Sequence, residues 1–192
     1  MTKIKICGLM KVEDVQAVNQ AQADYAGFIF APGRHQLSLK QALKLRQHLD
    51  SHIPSVGVFM DAPLEEMLQA FDSGAISLIQ LHGNESEGAI KALHAKHVPV
   101  IKVFKPNTIR KTSADFIMID SGAGNGKLID WQKITVKTNK PLIIASSIDS
   151  RNVQIAIKQV KPTIVDLSRG VETDGKKDPQ KISQIVNLVH SI

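Results

Sequence analysis

Lys5-Ile6-Cys7-Gly8-Leu9 sets the only cysteine of the chain at the end of its first apolar run, directly before a glycine. A thiol at a strand tip is rigid yet within reach of a ligand, and its reactivity is governed by how readily it becomes a thiolate. The plainer alternative is a small buried hydrophobe, the usual fate of a free cysteine. The rest of the chain argues for the first. Seven further short apolar runs follow, and chemically capable residues stand where they end: Arg34, Asp61, His82, Lys102, Asp120, Ser146 with Ser147, and Ser168 with Arg169. The connections at the opposite ends, such as Gln22-Ala23-Asp24 and Asp72-Ser73-Gly74, read as ordinary turns.

The elements that must position these groups follow from periodicity. The apolar runs cover 3–7, 25–30, 55–60, 76–81, 98–104, 116–120, 142–145 and 164–167, and they are rich in Ile, Val and Phe. Runs of that length and composition suit buried parallel strands. Between them, 12–21 repeats its apolar residues at close to the helical period. Ser38 is an expected N-cap for a helix over 39–49, and Asp149 or Ser150 for one over 153–160. Pro63 and Pro179 are expected in first turns, where a missing N–H costs nothing. The stretch 108–113 leaves room for little more than one helical turn. Eight strands, each followed by a helix-length segment, predict α/β architecture: one compact (β/α)8 barrel, the TIM-barrel form, over residues 1–192 as a single domain. In such a barrel the loops after the strands share one rim, and that rim carries the active site.

Bulk properties narrow the function. A chain of 192 residues that is 43% hydrophobic fills one sizeable core. One cysteine permits no internal disulfide, which fits a reducing compartment. The opening residues lack the sustained apolar region of a signal peptide, and no run approaches the ~20 residues of a membrane-spanning helix. A soluble, cytoplasmic protein is expected. Net charge is −3 over residues 1–90 and +9 over 91–192. A basic half suits a phosphorylated or carboxylated ligand. Nucleic acid is disfavoured, since the chain has only eight aromatic residues and no basic cluster interleaved with them.

The motifs, taken in order, resemble one family. They are Lys5-Ile6-Cys7-Gly8-Leu9, Gly27-Phe28-Ile29-Phe30-Ala31-Pro32, Val56-Gly57-Val58-Phe59, Gln80-Leu81-His82-Gly83, Ile119-Asp120-Ser121, Asp130-Trp131, and Gly170-Val171-Glu172 followed by Lys177-Asp178-Pro179. On these the chain resembles the phosphoribosylanthranilate isomerases of tryptophan biosynthesis from Lys5 to its last helix. The resemblance implies an Amadori rearrangement of N-(5'-phosphoribosyl)anthranilate to 1-(2-carboxyphenylamino)-1-deoxyribulose 5-phosphate. It implies no cofactor, because an imine is its own electron sink, and a small-molecule partner bearing phosphate and carboxylate groups. Neither nucleic acid nor membrane is expected as a partner, and the protein is expected as a monomer or homodimer. Cys7 is implied as the base and Asp120 as the acid. A thiol serves near neutrality if positive charge lowers its pKa, and an aspartic acid if burial or a negative neighbour raises its own. Arg34 is implied to meet the anthranilate carboxylate, with His35 the competing candidate, and His82 and Asp166 to bind or orient substrate.

Phosphate binding is implied for Ser146, Ser147, Ser168 and Arg169, where the chain departs most from the family pattern. Ala145-Ser146-Ser147-Ile148 stands where Ala-Gly-Gly-Leu is usual, and Ser168-Arg169-Gly170 where Ser-Ser-Gly is usual. Glycines allow backbone N–H groups close to a phosphate, whereas serines bring hydroxyls and an arginine brings charge. The glycines of 122–127 suggest a flap. These departures motivate a second reading, a catalytically weak phosphosugar-binding relative, which the intact pair of Cys7 and Asp120 opposes. A third, a barrel isomerase of the histidine-pathway kind, uses paired aspartates on two strand tips, and Cys7 at the first tip disfavours it.

Overall fold

The computed structural model describes residues 1–106, 108–120 and 138–192. Eight parallel strands close on themselves in sequence order: β1 (Lys3–Cys7), β2 (Tyr25–Ile29), β3 (Ser55–Phe59), β4 (Leu78–Leu81), β5 (Val100–Phe104), β6 (Phe116–Ile119), β7 (Leu142–Ile144) and β8 (Ile164–Leu167). Closure is made by β1 against β8, where Lys5 pairs with Asp166 while also facing Tyr25 on β2. The helices are α1 (Val12–Ala21), α2 (Leu39–His48), α3 (Leu64–Asp72), α4 (Glu87–His94), α5 (Val153–Val160) and α6 (Pro179–His190). The (β/α)8 barrel expected from the sequence is the fold observed.

Side chains alternate along a strand, so register sorts them into two faces. Ile4, Ile6, Ala26, Phe28, Ile79, Leu81, Ile144, Val165 and Leu167 turn outward and pack against the helices in one continuous core. Facing the barrel axis are Lys5 and Cys7 and, through the cross-strand pairs, Tyr25, Gly27, Val56, Leu78, Gln80, Ile101, Met118, Ile143, Ile164 and Asp166. Val56, Leu78, Ile101, Met118, Ile143 and Ile164, with Tyr25, Val103 and Phe116, form a separate apolar cluster. The barrel interior is therefore layered. Apolar residues fill its lower part, and Lys5, Cys7, Gln80 and Asp166 stand above them.

Several boundaries differ from the sequence expectation. β4 and β5 begin two residues later than 76 and 98, because Ile76 and Val98 are buried in the core without joining the ladder. Ser38 caps α2 as expected, its hydroxyl accepting from the Gln41 N–H at 3.3 Å. The N-cap of α5 is Asn152, not Asp149 or Ser150. Asp149 instead binds the Arg151 guanidinium with its side chain, and its carbonyl accepts the N–H groups of Asn152 and Val153. Pro179 opens α6, whereas Pro63 lies one position before the first turn of α3. No helix follows β5 among the described residues; 108–113 runs without regular structure into β6. After β8 the chain makes a 3-10 turn (Arg169–Val171) and a small hairpin, β9 (Glu172–Thr173) with β10 (Lys176–Lys177), which the sequence reading lacks. Ser121, the glycine-rich 122–127 and Asp130-Trp131 lie outside the described residues.

Candidate active site

Lys5 is among the largest wholly buried side chains of the described residues, and burial without partners would be costly for an ammonium. Its Nζ donates to Asp166 Oδ1 at 2.8 Å and to Gln80 Oε1 at 3.0 Å, inside the mouth of the barrel. Removing one member of such a buried pair costs about 3–5 kcal/mol, because the other charge is left uncompensated. Burial depresses the Lys5 ammonium, but Asp166 and Cys7 more than reverse it, and its pKa ends above the ordinary lysine value.

Cys7 stands two residues further along the same face, 5% exposed. Burial pushes its thiol up; Lys5 and Lys177 pull it back, and Asp166 adds to the rise. The expectation that nearby positive charge lowers the thiol thus holds for the direction of those charges but not for the net result. The sulfur has its place because β2 carries Gly27 beside it: a Cβ there would lie 2.6 Å from Sγ.

Across the mouth, Asp120 follows β6 and His82 follows β4. His82 Nε2 lies 3.6 Å from Asp120 Oδ2, and Gln80 Nε2 lies 3.2 Å from His82 Nδ1. Burial holds the His82 pKa below the ordinary histidine value against the opposing pull of Asp120. Polar side chains therefore run from Lys5 through Gln80 to His82 by hydrogen bonds, with Asp120 3.6 Å beyond the imidazole.

The expected phosphate residues converge. A cavity of about 830 Å³ is lined by His82, Asp120, Ser146, Ser147, Asp166, Ser168 and Arg169 together. Ser146 and Ser147 both adopt positive φ, 93° and 52°, a region that L-residues enter at a cost. The β8 loop is pressed onto the β7 loop at Gly170, where a Cβ would fall 1.9 Å from the Ile148 carbonyl oxygen. Any side chain at 170 would push the two halves of this cavity apart.

Arg34 and Cys7 lie outside that lining. Arg34 Nη2 donates to Glu172 Oε2 at 2.5 Å, yet its side chain remains 52% exposed. Glu172 is a buried carboxylate that also meets His35 Nε2 at 3.0 Å and Lys177 Nζ at 2.8 Å. Lys177 Nζ donates in addition to the Ser168 carbonyl at 2.9 Å and hydroxyl at 3.2 Å. Burial tends to raise the Glu172 pKa, but Lys177, His35 and Arg34 bring it below the usual carboxylate value. His35 is lowered by burial and by Lys177, so Arg34 is the permanent cation of the two. Lys102, placed at a strand exit by the sequence, lies within β5 in register with Ile117 and outside the inner face. Its ammonium is held by Glu85 Oε2 at 2.7 Å and the Gly83 carbonyl at 2.8 Å.

Sequence reasoning passed over Lys5, Gln80, Glu172 and Lys177 as site residues. Each sits inside a motif quoted for the resemblance, and the alternation of β1 and β4 would have placed Lys5 on the face of Cys7 and Gln80 on that of His82. No group of three or more His, Cys, Asp or Glu side chains set to hold a metal occurs among the described residues.

A closed parallel barrel whose polar groups gather on the rim that follows the strands is a β/α-barrel enzyme. Comparison with known proteins gives the particular family. A family model described as N-(5'-phosphoribosyl)anthranilate (PRA) isomerase matches residues 4–188. An N-(5'-phosphoribosyl)anthranilate isomerase of Lacticaseibacillus casei is 49% identical over 187 residues, 97% of this chain and 94% of the relative. The crystal structure of the phosphoribosylanthranilate isomerase of Thermotoga maritima superposes with a TM-score of 0.89 at 27% identity, covering 100% of both chains. A phosphoribosylanthranilate isomerase structure in complex with reduced 1-(o-carboxyphenylamino)-1-deoxyribulose 5-phosphate gives 0.83 at 26% identity, again over 100% of each chain. The chain belongs to the phosphoribosylanthranilate isomerase family.

Proposed function

We propose that this chain, acting as a single domain over residues 1–192 in the cytoplasm, isomerises N-(5'-phosphoribosyl)anthranilate with Cys7 as base and Asp120 as acid. The observation that carries the assignment is that both side chains stand at the same barrel mouth, joined by Lys5, Gln80 and His82. Asp120 gives a proton to the ring oxygen. The bond from C1' to that oxygen breaks with its electron pair on oxygen, and the nitrogen lone pair forms the C1'=N bond. Cys7, as thiolate, removes the proton from C2'. The electrons left behind form C1'=C2', and the C=N π pair returns to nitrogen. Loss of the 2'-hydroxyl proton and gain of one at C1' complete the aminoketose, after which Cys7 gives up its proton and Asp120 regains one, restoring thiolate and carboxylic acid.

Lys5 and Lys177 favour the thiolate that burial opposes. The cavity of about 830 Å³ takes the phosphate end, with Ser146, Ser147 and Ser168 as hydroxyl donors and Arg169 as cation. Arg34, anchored at one edge by Glu172 and half exposed, turns its remaining N–H groups to the anthranilate carboxylate. Asp166, fixed by Lys5, is placed to orient the sugar hydroxyls. Steady-state kinetics on folded variants tests the pair: Cys7→Ser and Asp120→Asn each lower kcat by at least ~10²-fold, the scale of a lost general base or acid. Wild-type turnover in either removes that residue from the mechanism. A wild-type chain unable to restore growth to a tryptophan auxotroph lacking the isomerase would favour the weak phosphosugar binder instead.

A further inference from the structure

Gln80 reaches from β4 into the barrel between two partners whose chemistry leaves its amide one orientation. Lys5 Nζ lies 3.0 Å from one amide atom and His82 Nδ1 lies 3.2 Å from the other. An ammonium only donates, so the amide oxygen must face Lys5, and the amide nitrogen, which also only donates, must face the imidazole. Nδ1 is then an acceptor, and a neutral ring carries its proton on Nε2. That nitrogen is the atom turned toward Asp120 Oδ2, 3.6 Å away. The gap exceeds a hydrogen bond, and catalytic contacts of this kind tighten when substrate is bound.

We propose that Gln80 is a positioning residue which locks His82 as the Nε2–H tautomer, so that His82 donates to the Asp120 carboxylate formed when the ring oxygen takes its proton. The inference rests on Asp120 being the acid. It makes His82 a neutral donor throughout the cycle, because an imidazolium would set an Nδ1–H against the amide N–H of Gln80. Burial opposes the imidazolium as well. Among the described residues, the charged groups that act most on the ring are Asp120 after β6, Lys5 on β1, Asp166 on β8 and Glu85 in the loop after β4. Asp120, Asp166 and Glu85 favour protonation and Lys5 opposes it, whereas the contact of the Gln80 amide with Nδ1 is what distinguishes the two ring nitrogens.

The test combines ¹⁵N NMR of histidine-labelled, substrate-free enzyme with kinetics, the His82 signals being assigned by their loss in His82→Gln. Wild type should show His82 as the neutral Nε2–H tautomer at pH 7. Gln80→Glu, which keeps the contact to Lys5 but offers Nδ1 only an acceptor, should convert it to the Nδ1–H form or the imidazolium. Gln80→Leu should mix the tautomers and lower kcat about tenfold with KM within about twofold, the usual scale for a group that orients a catalytic one. His82→Gln, which keeps an N–H near the Nε2 position, should retain more activity than His82→Leu. A wild-type Nδ1–H tautomer, an unchanged tautomer in both Gln80 variants, or unaltered kcat in folded Gln80→Leu overturns the proposal. The tautomer is read without substrate, so it is judged separately from any turnover that Asp120→Asn retains.

Discussion

Gly27 decides where Cys7 can hold its sulfur. The two residues are partners in the β1–β2 ladder, and a Cβ at 27 would also lie 2.9 Å from the Cys7 Cα, a backbone atom that cannot swing aside. Gly27→Ala should therefore displace the thiol and the strand beneath it. Overpacking of this kind costs about 1–3 kcal/mol. We expect kcat to fall at least tenfold, as misplaced catalytic groups commonly cost, while circular dichroism still reports the native fold. Unchanged kcat would mean that the sulfur tolerates relocation. Cys7 and Asp120 were legible as residues because each ends an apolar run. Lys5 and Gln80 were not, since a polar residue inside a short strand resembles an ordinary half-exposed position until closure of the sheet buries it. Glu172 was hidden for a related reason: its partners Arg34 and His35 lie far away in sequence and meet it only across the rim.

At the scale of elements, the β7 exit carries local strain. Ser147 has φ 52°, and a left-handed L-residue costs roughly 1–2 kcal/mol, part of which glycine's larger unfolded-state entropy would offset. Ser147→Gly should consequently stabilise the protein by roughly 0.5–1 kcal/mol, seen as a rise in Tm. If its hydroxyl holds phosphate, KM rises in the same variant. A higher Tm with unchanged KM leaves the anion to other donors, and a lower Tm contradicts the strain argument. The strands were readable from the length and composition of the apolar runs, and α1 from its periodicity, down to the bounds of β1, β8 and α1. What failed did so for a physical reason. Apolar residues such as Ile76 and Val98 pack in the core before ladder pairing begins, and a composition that allows a helix after β5 does not supply a face to bury.

For the whole molecule, titration of the site sets a stability window. His35 and His82 are held below the ordinary histidine value, so the folded state binds fewer protons than the unfolded chain, and stability falls as pH drops below about 6.5. Glu172, also lowered, loses its contribution further down the same acid limb. Cys7 is raised, so burying it becomes a penalty once the unfolded thiol ionises above about 8.5. Thermal melts should show a plateau between these limits. Replacing both histidines with glutamine should flatten the fall between about pH 7 and pH 5, where only histidine charge changes strongly. An acid limb unaltered by that double substitution would assign it to other groups.

The apolar floor beneath Lys5 and Gln80 makes the reaction chamber a vessel with one door. Val56, Leu78, Ile101, Met118, Ile143 and Ile164 stop the barrel below the chemistry, with Tyr25 and Phe116 packed beside them. Among the described residues this layer leaves no passage through the far end. The aminoketose must go out by the route its precursor took in, and the next molecule waits for it. Product is therefore expected to compete for the same doorway: added aminoketose should raise the apparent KM and leave kcat unchanged, and an unaffected KM would contradict the shared route.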